Sequence, residues 1–230
     1  MTYSAIVPTY NENPRVLEVL RVLQRCTKIS EIICVDDGST DGSAIAVKQE
    51  FGNIIVLQHS KNLGKLQAVR TGIKLCNNKS IILMDSDLKN IIPEEIDRAT
   101  AIFEKNNLDC LLLCTKPTSI NDRLARYLFR LAHVATGCRI IKKEVLKRAI
   151  NNTGRLSYHL EPAQNKYLME NSTKVAYVNI SAVGILKSEK VGFIKGLLQE
   201  IEMWRQVLSY SGIIFNIRQV LLFARKKERL

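Results

Sequence analysis

Ile81-Ile82-Leu83-Met84 runs straight into Asp85-Ser86-Asp87, so an apolar segment of strand length ends on two carboxylates one residue apart. Two earlier apolar runs end in the same way. Ser4-Ala5-Ile6-Val7 leads into Pro8-Thr9-Tyr10-Asn11-Glu12, and Ile32-Ile33-Cys34-Val35 leads into Asp36-Asp37-Gly38-Ser39. Three strand ends thus carry polar groups at comparable positions. In open α/β sheets ligands bind in the crevice outside the carboxyl ends of the strands, so the three clusters are expected to line one site.

The rest of the chain supports an α/β reading. Continuous Ile/Val/Leu runs predict strands near 3 to 8, 30 to 36, 53 to 58, 80 to 85 and 109 to 115, the pattern of a parallel sheet covered on both faces. Amphipathic stretches near 14 to 26, 40 to 51, 63 to 76 and 93 to 105 predict helices between them, the last opened by Pro93 at a favoured first-turn position. Beyond Ser119 the order changes. A basic helix is expected from about 120 to 135, then a short helix after Thr136-Gly137-Cys138-Arg139, another at 161 to 171, and a strand at 174 to 180. The resulting division is a ligand-binding half at 1 to 118, a second half of the same domain at 119 to 188, and C-terminal helices at 189 to 230.

Composition narrows the class. With 230 residues, 46% of them hydrophobic, the chain can bury a sizeable core. The N-terminus lacks the basic stretch and long apolar run of a signal peptide, and the six cysteines match neither a zinc spacing nor a disulfide framework; both features lead to an expectation of cytoplasmic residence with reduced thiols. Residues 1 to 118 hold 14 Lys and Arg against 14 Asp and Glu, whereas residues 119 to 230 hold 20 against 8, so the whole net charge of +12 lies in the second half. That bias points to an anionic partner, and solvated helix faces are the plainer alternative. Nucleic acid has only this charge in its favour and is left out of the expected partners.

Several chemistries are excluded by absent signatures: the chain has no G-x-G-x-x-G after its first strand, no G-x-x-x-x-G-K-[ST], no H-E-x-x-H and no G-x-S-x-G. The paired acids Asp85 and Asp87 suit a hard divalent ion, Mg²⁺ or Mn²⁺, because such ions take one or two protein carboxylates and complete their shell with water and phosphate oxygens. An Asp pair that merely opens a loop or caps a helix is the competing reading.

The motifs stand in an order that resembles family 2 glycosyltransferases of GT-A fold, in particular the dolichyl-phosphate mannose synthase branch. Pro8-Thr9-Tyr10-Asn11-Glu12 is similar to that family's first donor-binding motif and Val35-Asp36-Asp37-Gly38-Ser39-Thr40-Asp41-Gly42 to its second. Asn62-Leu63-Gly64-Lys65 through Ala68-Val69-Arg70-Thr71-Gly72 is similar to the third, and Asp85-Ser86-Asp87 to the metal motif. The resemblance covers roughly residues 3 to 150. It implies an inverting sugar transfer from a nucleoside diphosphate donor of UDP or GDP type, with a polyprenyl phosphate or membrane lipid as first expectation for the acceptor. A hydroxyl of a polysaccharide precursor is the alternative, as is a nucleotidyltransferase or a silent nucleotide-sugar binder.

The resemblance also assigns residues. Pro8, Tyr10 and Glu12 would contact the nucleoside and Asp37 would accept from base or ribose, although Tyr10 also reads as a packing residue and Asp37 as a turn acid. Lys65 and Arg70 would steer phosphate or fix the loop, and Lys116 and Lys190 (or Lys187) would hold phosphates. Glu161 would be the general base for a hydroxyl acceptor, with His159 and Asp122 as lesser candidates; a plain first-turn acid favoured by the helix dipole is the alternative for Glu161. The chain departs from the branch at Lys89, where a metal-holding glutamine is expected, at His133 and at Cys138. The apolar run 212 to 224, followed by Arg225-Lys226-Lys227, is too short to span a bilayer. It suggests peripheral contact with the inner face of the membrane, or a helix packed on the domain or a partner. Nothing in the sequence specifies an oligomeric state.

Overall fold

The computed structural model describes residues 1–117, 136–151, 160–185, 192–215 and 217–218. Its strands are β1 (Tyr3–Thr9), β2 (Ile29–Asp36), β3 (Ile55–Gln58), β4 (Ser80–Leu83), β5 (Leu88–Lys89), β6 (Cys110–Lys116), β7 (Arg139–Lys142) and β8 (Val175–Gly184). Its helices are α1 (Arg15–Arg25), α2 (Ser43–Glu50), α3 (Lys65–Leu75), α4 (Pro93–Lys105), α5 (Lys143–Asn151), α6 (Leu160–Glu170) and α7 (Phe193–Ser211).

All eight strands join one sheet in the order β3-β2-β1-β4-β7-β6-β8-β5. β1, β2, β3 and β4 are mutually parallel, as expected for crossover units, with Ile6 beside Ile33 on one side and Leu83 on the other. β7 runs antiparallel between β4 and β6, which therefore share a direction, and β8 lies parallel to β6. The carboxyl ends of β1, β2, β4 and β6 consequently meet along one edge, and the start of β7 meets them there.

Side chains alternate across this sheet and build a core on each face. On one face Ala5, Val7, Cys34, Ile82, Met84 and Leu111 pack with Val16, Val19 and Leu20 of α1 and with Ile96 and Phe103 of α4. On the other, Ile6, Ile33, Ile81, Leu83 and Leu112 pack with Leu66 and Val69 of α3, Leu146 of α5 and Leu160 of α6. Pro93 opens α4 as the sequence suggests, and the structure adds Glu94 and Glu95 as first-turn acids.

The sequence reading misses two strands. β7 is only Arg-Ile-Ile-Lys, and its flanking charges hide a buried segment in which Arg139 is fully covered. β5 is two residues long, too short for any periodicity. The strand expected at 174 to 180 continues to Gly184 because its extension pairs with β5, Leu88 facing Gly184 and Lys89 facing Val183. The basic helix expected at 120 to 135 lies outside the described residues.

Candidate functional site

The strand-end clusters named in the sequence converge, and hydrogen bonds explain how. Asp37 N–H donates to the Thr9 carbonyl (2.8 Å) and His59 N–H to the Asp36 carbonyl (2.8 Å), extending the β1, β2 and β3 ladder into the loops. Asn11, at φ 54°, receives Thr40 N–H on its side-chain oxygen (2.8 Å) and gives its own N–H to Ser39 Oγ (2.8 Å). Glu12 N–H reaches Ser43 Oγ (3.1 Å), and the Glu12 carboxylate takes Arg15 Nε (2.6 Å). Gly38 is demanded by space as well as by its φ of 78°, since a Cβ there would stand 2.8 Å from the Asn62 backbone nitrogen. The first and second motifs are thus one cross-linked surface, with Pro8 and Glu12 buried and Tyr10 exposed at 44%.

Asp37, only 3% exposed, anchors the third motif. Its Oδ1 accepts from His59 Nδ1 (2.7 Å) and Leu63 N–H (3.0 Å), and its Oδ2 from Gly64 N–H (2.7 Å), the residue before α3. A carboxylate facing the start of a helix sits at the positive end of the helix dipole. The turn itself is held by the neighbouring Asp36, which takes Ser39 N–H on Oδ1 (2.7 Å).

From this anchor α3 starts at Lys65, whose ammonium lies 2.6 Å from Asp85 Oδ1 and 2.8 Å from Glu161 Oε1. Three elements therefore meet: the start of α3, the end of β4 and the first turn of α6. Burial disfavours the charged form of Lys65, and the Asp85 and Glu161 carboxylates outweigh it, so the lysine is held well above its ordinary pKa and remains protonated. Asp85 Oδ2 faces Cys138 Sγ at 3.7 Å. Burial, reinforced by Asp85, raises the Cys138 thiol well above the usual range, so it is an S–H donor and not a thiolate. The Thr136 hydroxyl accepts Cys138 N–H (3.2 Å) and donates to the Leu113 carbonyl (2.8 Å), tying this loop to β6. Between them Gly137 presses its backbone onto the cluster: a Cβ there would lie 2.6 and 2.7 Å from the Asp85 oxygens.

Counting Lys65 as one positive charge and Asp85, Asp87 and Glu161 as one negative charge each leaves two negative charges, which one divalent cation would neutralise. Two carboxylates such as Asp85 and Asp87 are what Mg²⁺ or Mn²⁺ commonly takes from a protein, the rest of its shell coming from water and phosphate oxygens. Among the described residues no group of three or more His, Cys, Asp or Glu side chains is placed to hold a metal.

Arg70 gives its Nη2 to the Ile150 carbonyl at the end of α5 (2.7 Å). Lys116 is exposed at the end of β6, on the same edge as the cluster. Lys187, Lys190, Asp122, His133 and His159 lie outside the described residues, as do the last twelve positions of the tail. Sequence reasoning misses His59, whose Nε2 stands 3.0 Å from Thr71 Oγ1; its place just past β3, with polar neighbours, is the signal that could have found it.

Comparison with known proteins agrees with this geometry. The family model "Glycosyl transferase family 2" matches residues 4–154. The undecaprenyl-phosphate 4-deoxy-4-formamido-L-arabinose transferase of Pseudomonas fluorescens (strain SBW25) is 36% identical over 103 residues, covering 41% of this chain and 30% of that protein. The chain spans about a third of the length of the curated relatives it matches. Glucosyl-3-phosphoglycerate synthase from Mycobacterium tuberculosis, solved with Mn²⁺, UDP and glucosyl-3-phosphoglycerate, superposes with a TM-score of 0.70 at 18% identity, covering 92% of this chain and 80% of that one. S. aureus TarS in complex with UDP gives 0.60 at 23% identity, covering 79% and 61%. These likenesses establish the GT-A fold. With its sheet, its motif order and the greater part of its 230 residues matched, the chain belongs to glycosyl transferase family 2.

Proposed function

We propose that the protein is an inverting glycosyltransferase that takes a sugar from a nucleoside diphosphate donor, of UDP or GDP type, and delivers it to a polyprenyl phosphate. The observation that carries this reading is the Lys65, Asp85 and Glu161 cluster at the carboxyl edge of the sheet, whose Lys65 follows the Gly64 N–H held by Asp37, itself oriented by three hydrogen bonds. The names of the relatives support the acceptor class, and the UDP in the solved neighbours supports the donor class.

In this reading Pro8, Tyr10, Glu12 and Asp37 receive the nucleoside, Tyr10 offering a flat exposed ring and Asp37 an acceptor for ribose or base. Lys65 and Lys116 meet the diphosphate, and Arg70 keeps α3 docked on α5. Asp85 and Asp87 would hold the divalent ion, which when bound neutralises charge on the departing diphosphate. An acceptor phosphate is itself an anionic nucleophile and needs no base. The placement of Glu161 in the first turn of α6, 2.8 Å from Lys65, supports a second reading, a hydroxyl acceptor, in which Glu161 would act as base once that ammonium has released it.

No helix among the described residues is long and apolar enough to cross a membrane. A lipid acceptor would therefore be met by this part of the chain at the bilayer surface. On α7 the exposed side chains of Ile194, Leu198 and Ile201 recur at helical spacing, forming an apolar stripe suited to interfacial contact.

A thermal-shift screen of UDP, GDP, CDP and dTDP sugars, with and without Mn²⁺ or Mg²⁺, tests the reading on the native protein and on Asp87→Ala. Stabilisation by one nucleotide class that depends on metal and vanishes in the variant is expected. Stabilisation by none of them overturns the donor assignment.

A further inference from the structure

Lys65 occupies the position that a metal would contest. Its ammonium carries three N–H donors, and two of them are directed at Asp85 Oδ1 (2.6 Å) and Glu161 Oε1 (2.8 Å). The second oxygen of Asp85 is met by the Cys138 thiol at 3.7 Å. The backbone of Gly137 closes the same carboxylate so tightly that even a methyl group would collide with it. Both oxygens of Asp85 are therefore engaged by this chain's own groups.

A divalent ion bonds a carboxylate oxygen at about 2.0–2.3 Å. It cannot share Asp85 Oδ1 with an ammonium already 2.6 Å away without strong repulsion between the two cations. Lysine is a compact charge on a flexible four-carbon stem, and this one is 31% exposed, so it has somewhere to move. Without ligand its ammonium is shared between Asp85 and Glu161, and a diphosphate would offer it a further anion in place of Asp85.

We propose that Lys65 is the resident counter-cation of Asp85, and that it cedes this carboxylate to a divalent metal only when a diphosphate accepts its ammonium in exchange. The proposal rests on the nucleotide-sugar reading above and adds an order to it: metal and nucleotide bind as a coupled pair, each weak without the other. The same swing detaches Lys65 from Glu161, so the carboxylate on the acceptor side becomes available only once a donor is in place. Coupling of this kind is reciprocal: the factor by which nucleotide tightens metal equals the factor by which metal tightens nucleotide.

The test is a titration with Mn²⁺ followed by electron paramagnetic resonance, with and without UDP or GDP, on the native protein, Lys65→Met and Lys74→Met. Lys74 is exposed in the last turn of α3, at the opposite end of the helix from Lys65, and controls for a general effect of charge. Expected is weak Mn²⁺ binding by the native protein alone, tightened at least tenfold by nucleotide. Lys65→Met should bind Mn²⁺ alone at least tenfold more tightly than the native protein, with little further gain from nucleotide, while Lys74→Met stays near native. Lys65→Gln provides the same comparison if the methionine variant does not fold. Equal affinity for Mn²⁺ alone in the native and Lys65 variants, or an equal rise in Lys74→Met, overturns the proposal while nucleotide-dependent binding by the native protein keeps the donor reading intact. No binding by the native protein with any nucleotide overturns both.

Discussion

His59 Nδ1 and Asp37 Oδ1 lie 2.7 Å apart, and Thr71 Oγ1 stands 3.0 Å from the other ring nitrogen. A carboxylate accepts only, so His59 carries a proton on Nδ1 facing Asp37, and its Nε2 pairs with the Thr71 hydroxyl. The ring orients Asp37, which in the proposed function receives the nucleoside. An asparagine can reproduce the Nδ1 donor, so His59→Asn is expected to keep nucleotide affinity within about threefold, whereas His59→Leu should lose about tenfold, roughly the 1.4 kcal/mol of one good hydrogen bond to a charged group. Calorimetric titration with the donor nucleotide measures both, and equal affinities in the two variants would remove His59 from the site.

Gly137→Ala places a methyl group within 2.7 Å of both Asp85 oxygens. Because Gly137 packs directly on Asp85 at the carboxyl edge of the sheet, the expected cost falls mainly on ligand binding: about tenfold weaker nucleotide affinity in the presence of Mn²⁺, with a change in stability below about 2 kcal/mol. Thermal unfolding and nucleotide titration of the same sample separate the two, and unchanged affinity would show that the loop gives way freely.

Acid should weaken the sheet through Asp109. Burial alone would raise its pKa, but Lys142 Nζ (2.9 Å) and Lys174 N–H (2.8 Å) outweigh burial and hold the carboxyl below its ordinary range. A depressed carboxylate stabilises the fold above the unfolded value near 3.9, and that contribution fades as pH falls through the lower folded value. Asp109→Asn is therefore expected to be about 1 kcal/mol less stable at pH 7 and to lose less further stability below about pH 4. Urea unfolding at neutral and acidic pH checks the sign, and an unaltered acid slope would dismiss the assignment.

Membrane contact through α7 has its own test. Ile194 is 75% exposed and Leu198 62%. Burying such a side chain in the bilayer interface is worth about 1.5 kcal/mol or more, and aspartate forfeits it. Leu198→Asp should sediment with phosphatidylglycerol vesicles about tenfold less tightly than the native chain. Native protein that stays in solution beside these vesicles contradicts the surface reading.

The strand ends are legible in the amino-acid order because apolar runs that stop abruptly on Asp, Asn or Glu state both the strand and its polar edge. The order of motifs around Asp37, Lys65 and Asp85 carries the family in the same way. Local chemistry also marks Asp36 as a turn residue and Pro93 as a helix opener. Arg70 is different: its spacing from Lys65 suits both phosphate and loop, and only the arrival of α5 beneath it provides the Ile150 carbonyl.

What the amino-acid order determined by itself, then, is the alternation of elements, the acidic strand ends and the family to which they belong, because these are set by neighbours along the chain. Tertiary structure alone decided that β7 slips between β4 and β6, that Asp37 spends its oxygens on the 59–64 segment, and that Lys65 closes on Asp85 and Glu161. Those partners lie 20 and 96 residues from Lys65. Pairing at that distance is chosen by the packing of helices on the two faces of the sheet, for which the local pattern of residues carries no record.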